Sequence, residues 1–424
     1  MYWDYYFKRE SNSSSESRFA TLLNNGKIRT DNNILKLHLR ADEWNFITLP
    51  FDVKVSDIVN VNNTQFVIRG YDVKKRADSK MNETWYNMTG NDTLQAGKGY
   101  IWQGAHTVDV NQNYNYDIEF DVQALQTVNK NNMFANSTVE IELEEILSEF
   151  PQNRSWNFIG NPFPCYFDTR AIDCTAPITI WQNGYQYRAY SPVDDKYILA
   201  PGEAFFIQRP LDQASITFLR EGRQLTPEAK AEVNYFAAAR QSEMTAKRSI
   251  FNLKVAGNEQ NDQTRFVINE NALLEYEMDK DASKFMDATV KGIQFYTIEN
   301  GLRYAINERP LAAGEVALGM KVEKAGSYTI TLDTTADAEV YLIDLLTGQE
   351  ILLGEGGYTF QAEAGTFDGR FLVRLVSSDL TGISTVSNDQ QKGEDYYDLQ
   401  GRRVEKGQLK NGIYVKKGLK AVVK

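Results

Sequence analysis

Apolar and polar residues alternate over short stretches, and Gly, Asn, Asp or Pro break the alternation every few residues. A period of two with that punctuation predicts β-strands joined by tight turns. From Ser249 the strands become regular: FNLKV, RFVIN, IQFYTI, LRYAIN, VALGMKV, SYTITL, EVYLID, YTFQA and RFLVRL. Turns between these nine runs predict a β-sandwich over residues 248–378.

The first half contains a duplication. EWNFITLPFD at residues 43–52 is matched by SWNFIGNPFP at 155–164, and GKGYIWQ from Gly97 by GEAFFIQ from Gly202. Two copies, at about 43–103 and 155–208, are too few for a solenoid, so paired β units in one lobe are expected. In the first copy Trp44, Phe46 and Thr48 fall on one strand face and Asn45, Ile47 and Leu49 on the other. Pro50, with no N–H to donate, ends that strand. Trp181-Gln182-Asn183-Gly184-Tyr185 carries the Asn-Gly signal of a two-residue hairpin.

One stretch, 226–242, has helical marks: Thr226 as cap, Pro227 in the first turn and an apolar stripe of Val233, Phe236 and Ala237. A polar linker follows the sandwich over 379–394, and three short strands return over 395–424. The expected fold class is therefore all-β. It comprises a duplicated sandwich-like lobe over 1–220, a helical linker over 221–247, a second sandwich over 248–378 and a small C-terminal β module over 395–424.

Charge narrows the partners. Lys and Arg number 46 against 57 Asp and Glu, for a net charge of −11, which disfavours nucleic acid. Residues 402–424 run the other way, with eight basic residues against the single acid Glu405, and could dock on an acidic surface or keep short edge strands from pairing. No run of 18 apolar residues offers a membrane span. The N-terminus, Met1-Tyr2-Trp3-Asp4, lacks a secretory leader, so the chain is expected to be cytosolic or to follow a leader encoded upstream. Cys165 and Cys174 could close a small disulfide loop in an oxidising compartment or remain two buried thiols.

Catalytic chemistry is thinly supplied. His38 alternates along a strand and His106 follows Gly104-Ala105, neither beside a nucleophile elbow. Carboxylate pairs such as Asp194-Asp195 and Asp279/Asp281 could in principle flank a sugar, while Glu140, Glu142 and Glu144 alternate like a solvated edge. The Asn258–Asp262 loop is oxygen-rich but lacks the spacing of a calcium loop. No catalytic residue, metal or cofactor is expected. The sharper candidates are aromatic: Trp85, Tyr86, Tyr185, Tyr187 and Tyr190 sit beside turns, where flat rings can stack on glycans or simply pack across strands.

The ending YYDLQGRRV with NGIYVKKGLKAVVK resembles the C-terminal module of secreted surface proteins of Bacteroidota, including cargo of the type IX secretion system. WNFIGNPFP with APGEAFFIQ, and INERP with AGSYTITL and YTFQAEAGTFDGRF, are similar to the same proteins. The resemblance implies an exported chain at the outer cell surface, whose last residues, 395–424, engage export or anchoring machinery. It also implies O-glycosylation at Thr93 and Thr334, in Asp-Thr-Leu and Asp-Thr-Thr triplets. The function expected is non-enzymatic: adhesion, contact with a surface glycan or a host or matrix protein, or surface attachment. The alternative is an accessory region of a surface hydrolase whose catalytic domain lies upstream.

Overall fold

The computed structural model describes residues 34–124, 138–182, 184–228, 248–286, 290–354 and 356–376, and the backbone of 2–7, 396–397, 403–404, 412–416 and 419–423. The chain is all-β and forms two compact units, Met1–Leu380 and Thr381–Lys424.

The duplication is a duplication of structure, and it is longer than the matched sequence. The first copy has strands β2 (Ile34–Arg40), β3 (Asn45–Thr48), β4 (Val53–Lys54), β5 (Val59–Asn60), β6 (Phe66–Tyr71), β7 (Trp85–Asn87), β8 (Thr93–Leu94), β9 (Gly99–Gly104), β10 (Thr107–Val108), β11 (Tyr114–Asn115) and β12 (Asp117–Gln123). β1 (Tyr2–Phe7) lies parallel on β2. The second copy has β13 (Val139–Glu142), β14 (Trp156–Gly160), β15 (Tyr166–Asp168), β16 (Ile178–Gln182), β17 (Gln186–Tyr190), β18 (Ile198–Leu199), β19 (Ala204–Gln208) and β20 (Ser215–Phe218), followed by β21 (Arg223–Gln224). The four-stranded sheets have the same order, β3-β9-β6-β7 and β14-β19-β16-β17. They also share a register: Asn45 faces Trp102 as Asn157 faces Ile207. Outside the matched segments, β2 pairs with β12 as β13 pairs with β20, so each copy begins and ends on a shared hairpin-like pair.

Strand alternation explains why WNFI had to be apolar on both faces. Ile47 and Ile159 point into the separate core of their own copy, with Trp102 and Phe120 in the first and Ile207 and Phe218 in the second. Phe46 and Phe158 point the other way, into a third core shared by the two copies, where their ring centroids lie 5.6 Å apart. Each such ring removes about 150–250 Å² from water. Main-chain contacts across this interface come in matched pairs. Thr48 N donates to Gly202 O at 2.8 Å, and Gly160 N donates to Gly97 O at 3.0 Å; Ile47 bridges Glu203, and Ile159 bridges Lys98. Thr48 corresponds to Gly160, and Gly97 to Gly202, so one contact is made twice, related by an approximate two-fold axis.

The equivalent tryptophans of the two copies differ in burial. Trp156 is 1% exposed, with Nε1 donating to Gln152 O, but its counterpart Trp44 is only half-buried, with the Arg69 guanidinium 4.7 Å above its ring. The expected helix at 226–242 lies for the most part outside the described residues. The α-helix among the described residues is α1 (Val73–Ala77), inserted between β6 and β7 and capped by Asp72, whose side chain accepts from Lys75 N at 3.0 Å. In the second copy the tight β16–β17 turn stands in its place.

The sandwich comprises β22 (Ser249–Gly257), β23 (Gln260–Ile268), β24 (Ala282–Ser283), β25 (Gln294–Glu299), β26 (Leu302–Arg309), β27 (Val316–Val322), β28 (Gly326–Thr334), β29 (Glu339–Asp344), β30 (Gln349–Leu352), β31 (Tyr358–Ala362) and β32 (Gly365–Val376). All nine runs read from the sequence are strands; β24 and β30 are additional. They form one sheet in the order β30-β29-β32-β27-β25-β26-β23-β22-β28-β31, with β24 on β26. The sheet folds over a single core of Phe251, Phe266, Phe295, Leu318, Ile330, Leu342 and Phe371. β23 and β26 run parallel; the other pairs are antiparallel.

The second compact unit has four antiparallel strands, β33 (Tyr396–Tyr397), β34 (Arg403–Val404), β35 (Gly412–Lys416) and β36 (Leu419–Val423), in the order β34-β33-β35-β36. β33 and β34 pair antiparallel, with Tyr396 opposite Val404.

Candidate functional site

The aromatic residues singled out in the sequence are mostly packing residues. Tyr187 is 2% exposed in the core between the copies, its ring 4.8 Å from Trp181 and 6.0 Å from Phe206, and offers no face to a ligand. Trp85 is half-buried against Tyr71 and Phe158, at 4.9 and 5.6 Å. Tyr190 stacks on Tyr197 at 4.3 Å and accepts a hydrogen bond from Gln182 Nε2. Tyr185 is half-buried and its carbonyl accepts from Lys291 N. Tyr86 is 48% exposed, lying flat across Gly70, where a Cβ would strike its ring. The alternation rule places these rings on strands correctly but cannot tell an outer face from one covered by a second copy.

The cysteines take the second of the two forms left open for them. Cys165 and Cys174 are unbridged thiols buried in the core of the second copy, and burial pushes the Cys165 thiol up to about 12. Of the two threonines, Thr93 is exposed. Thr334 is half-buried, its hydroxyl donating to Ile250 O and accepting from Ala336 N.

Polar chemistry collects in three places. At the two-fold interface, Tyr197 Oη donates to Glu203 Oε1 at 2.6 Å and Ala200 N to Oε2 at 2.8 Å. Burial raises the Glu203 carboxyl to about 6, against those two bonds.

The second place is the seam between the second copy and the sandwich. The Asp194-Asp195 pair, a candidate carboxylate couple in the sequence, lies in the turn after β17 and is taken up by arginines of the sandwich. Arg265 donates to both oxygens of Asp195 at 2.6 and 3.0 Å, and Arg248 joins Asp194 (2.7 Å) to Glu308 (2.6 Å). Arg188 reaches Asn261, and Tyr276 Oη donates to Gln208 Oε1. Asp281, the other acidic candidate, accepts from the amides of Glu277 and Glu308, and burial pushes its carboxyl up. Phe285 inserts from the sandwich side between Trp156 and Tyr187, at 4.8 and 5.0 Å, with the Arg76 guanidinium of α1 4.1 Å above it. Charges desolvated and paired in this way hold two bodies in one orientation.

Residues 166–375 match a family model described as a domain of unknown function, DUF8693. The match begins in β15 and ends in β32. It takes in both sides of the seam, from β15 of the second copy onward, and leaves out β13 and β14. No curated protein and no solved structure matches the chain.

The third place is exposed and was missed in the sequence reading. After β9 the first copy carries a hairpin, β10–β11, that the second copy lacks: residues 105–116 separate the equivalent strands in one, 209–214 in the other. Tyr114 on it is 61% exposed and lies 4.8 Å from His106 and 6.2 Å from Tyr116, the two tyrosine planes 30° apart. Arg40 stacks on Tyr116 at 4.3 Å, and Asp42 Oδ2 holds His106 Nδ1 at 2.6 Å. The tip is tied by Asp109, which accepts from Asn111 N, Asn113 N and Asn113 Nδ2; those bonds from Asn113 hold its carboxyl below the usual range. The available signal was Tyr-x-Tyr next to a turn rich in Asn and Asp, and the mismatch in length between the two copies.

Proposed function

We propose that this chain is a non-enzymatic, β-rich region of an exported cell-surface protein, supporting adhesion, glycan contact or surface attachment. In this reading its last residues, 395–424, serve export or anchoring. The observation that carries the reading is the seam. The carboxylates that the sequence offered for chemistry, Asp194 and Asp195, are bound by Arg248 and Arg265 and serve to lock the duplicated lobe to the sandwich. A locked pair of β bodies transmits position and load to whatever they present. The C-terminal resemblance to surface proteins supports the same assignment, and no described helix is long and apolar enough to cross a bilayer.

The test uses the full-length parent in its host, with surface display read by antibody access and adhesion read by retention on polysaccharide-coated beads. Deletion of residues 395–424 is expected to abolish display. Deletion of residues 34–376 is expected to abolish retention while display persists. Undiminished display in the first variant removes the export role, and undiminished retention in the second removes the adhesive one.

A further inference from the structure

We infer that the β10–β11 hairpin of the first copy is a carbohydrate-binding site, in which a sugar of a neutral oligosaccharide stacks on Tyr114. The inference rests on the glycan-contact reading above and gives it a location that none of the sequence candidates occupies.

Four observations converge on it. First, the hairpin is where the two copies part company. The framework on either side is repeated, β9 against β12 on one side and β19 against β20 on the other, yet only the first copy inserts a strand pair between them. The insertion adds only Tyr116 to the margin of the first copy's core and nothing to the core between the copies, and segments of that kind are where binding is placed on a rigid scaffold.

Second, the insertion spends apolar surface on solvent. Tyr114 is 61%, Val108 47% and Val110 96% exposed in one short segment. Large apolar groups gathered at an exposed tip mark a binding surface rather than a packing one.

Third, the rings are held before any ligand arrives. Arg40 covers one face of Tyr116, Asp42 orients His106, and three hydrogen bonds to Asp109 set the turn. A platform whose side chains are already ordered loses little entropy on binding.

Fourth, the polar rim identifies the ligand class. Asp42 holds His106 beside Tyr114 and Asp109 ties the tip, on a chain of net charge −11. The two carboxylates outnumber the Arg40 guanidinium over Tyr116, so phosphate, sulfate and uronate are disfavoured. A neutral sugar suits both parts: its C–H face meets the Tyr114 ring, and its hydroxyls meet the remaining acceptor positions of the Asp42 and Asp109 carboxylates. Two tyrosines 6.2 Å apart and 30° from coplanar can engage adjacent sugars of one chain.

The experiment titrates the full chain with four hexasaccharides: β-1,4-glucose, β-1,4-N-acetylglucosamine, α-1,4-glucose and β-1,4-mannose. Heat of binding is the readout, and the thermal midpoint of each variant is recorded to verify folding. Binding of at least one hexasaccharide is expected, weakened about tenfold or more by Tyr114→Ala. Tyr114→Trp should keep the affinity, and Tyr86→Ala, which removes an exposed ring on β7, should leave it unchanged. If the chain binds a hexasaccharide and Tyr114→Ala binds it equally well, this site is wrong while glycan contact stands. If Tyr86→Ala abolishes binding, the site lies on β7 instead. If none of the four binds, this inference and the glycan-contact reading fall together.

Discussion

Thr48 and Gly160 occupy the same position in the two copies, and they meet at the axis that relates them. A Cβ built on Gly160 would stand 2.6 Å from Thr48 Cβ and 2.6 Å from Glu203 O. Only one of the pair can therefore carry a side chain. The asymmetry that separates WNFIT from WNFIG follows from the symmetry of the fold.

Gly160→Ala is accordingly expected to destabilise the duplicated lobe by about 1–3 kcal/mol, the cost of overpacking a close contact. Combining it with Thr48→Gly should recover part of the loss, since one of the two opposing groups is then gone. Chemical denaturation of the two single variants and the double variant measures the coupling. Strict additivity would show that the two positions do not meet.

The thiols provide a second check. Thiol titration without reductant should find no reactive cysteine in the native protein and two after unfolding, because Cys165 and Cys174 are buried and unbridged. Recovery of no thiol after unfolding would restore the disulfide.

Glu203 sets a pH dependence with a definite sign. Its carboxyl is raised to about 6 in the folded chain, above the ordinary value of 4.5, so the folded state holds the proton more tightly than the unfolded one. Its contribution is therefore greatest below about pH 4.5 and is lost as pH rises towards 6, to a total of about 2 kcal/mol. Glu203→Gln removes the titrating group while keeping one of the two acceptor oxygens, and should flatten that part of the stability–pH curve whatever it does to the overall stability. An unchanged slope between pH 4.5 and 6 would mean the carboxyl is not desolvated by the fold.

At the seam, Arg265→Ala leaves Asp195 desolvated without its bidentate partner and should cost about 3–5 kcal/mol. Asp195→Asn combined with it should cost less than the sum of the two singles. Because the pair joins two bodies, the variant is also expected to split one unfolding transition into two, seen by calorimetry. A single transition of unaltered width would show that the bodies are coupled by other contacts.

The sequence carried the strand pattern well and the surface poorly. Period-two alternation located runs such as Glu339–Asp344, which bury one face, and short apolar runs between turns located those such as Gln294–Glu299, which bury both. The WNFI match exposed the duplication because that strand is buried on both faces in each copy. What alternation cannot report is which outer faces a second body covers. Tyr187 and Trp85 looked like platform residues for that reason, and Trp44 looked as buried as Trp156 although Phe285 and Arg76 cover only the latter. α1 was missed because five residues are too few to display a helical period; its mark is the Asp72 cap. The copies were drawn too short because β2, β12, β13 and β20 retain their pairing without retaining their residues. The seam was invisible because Asp195 and Arg265 are distant in sequence and meet only after both bodies have formed.

The two-fold interface has a last consequence, which follows from both halves lying on one chain. A pair of separate subunits joined through Phe46, Phe158 and the matched Thr48–Gly202 and Gly160–Gly97 bonds would come apart on dilution. Tethered, the same contact acts at a fixed effective concentration, and no lowering of the protein's abundance can loosen it. Tethering also frees each half from having to fit an identical twin. One half was able to gain a hairpin and a helix, and the other a salt-bridged face for the sandwich, changes that two subunits encoded by a single gene could have acquired only together.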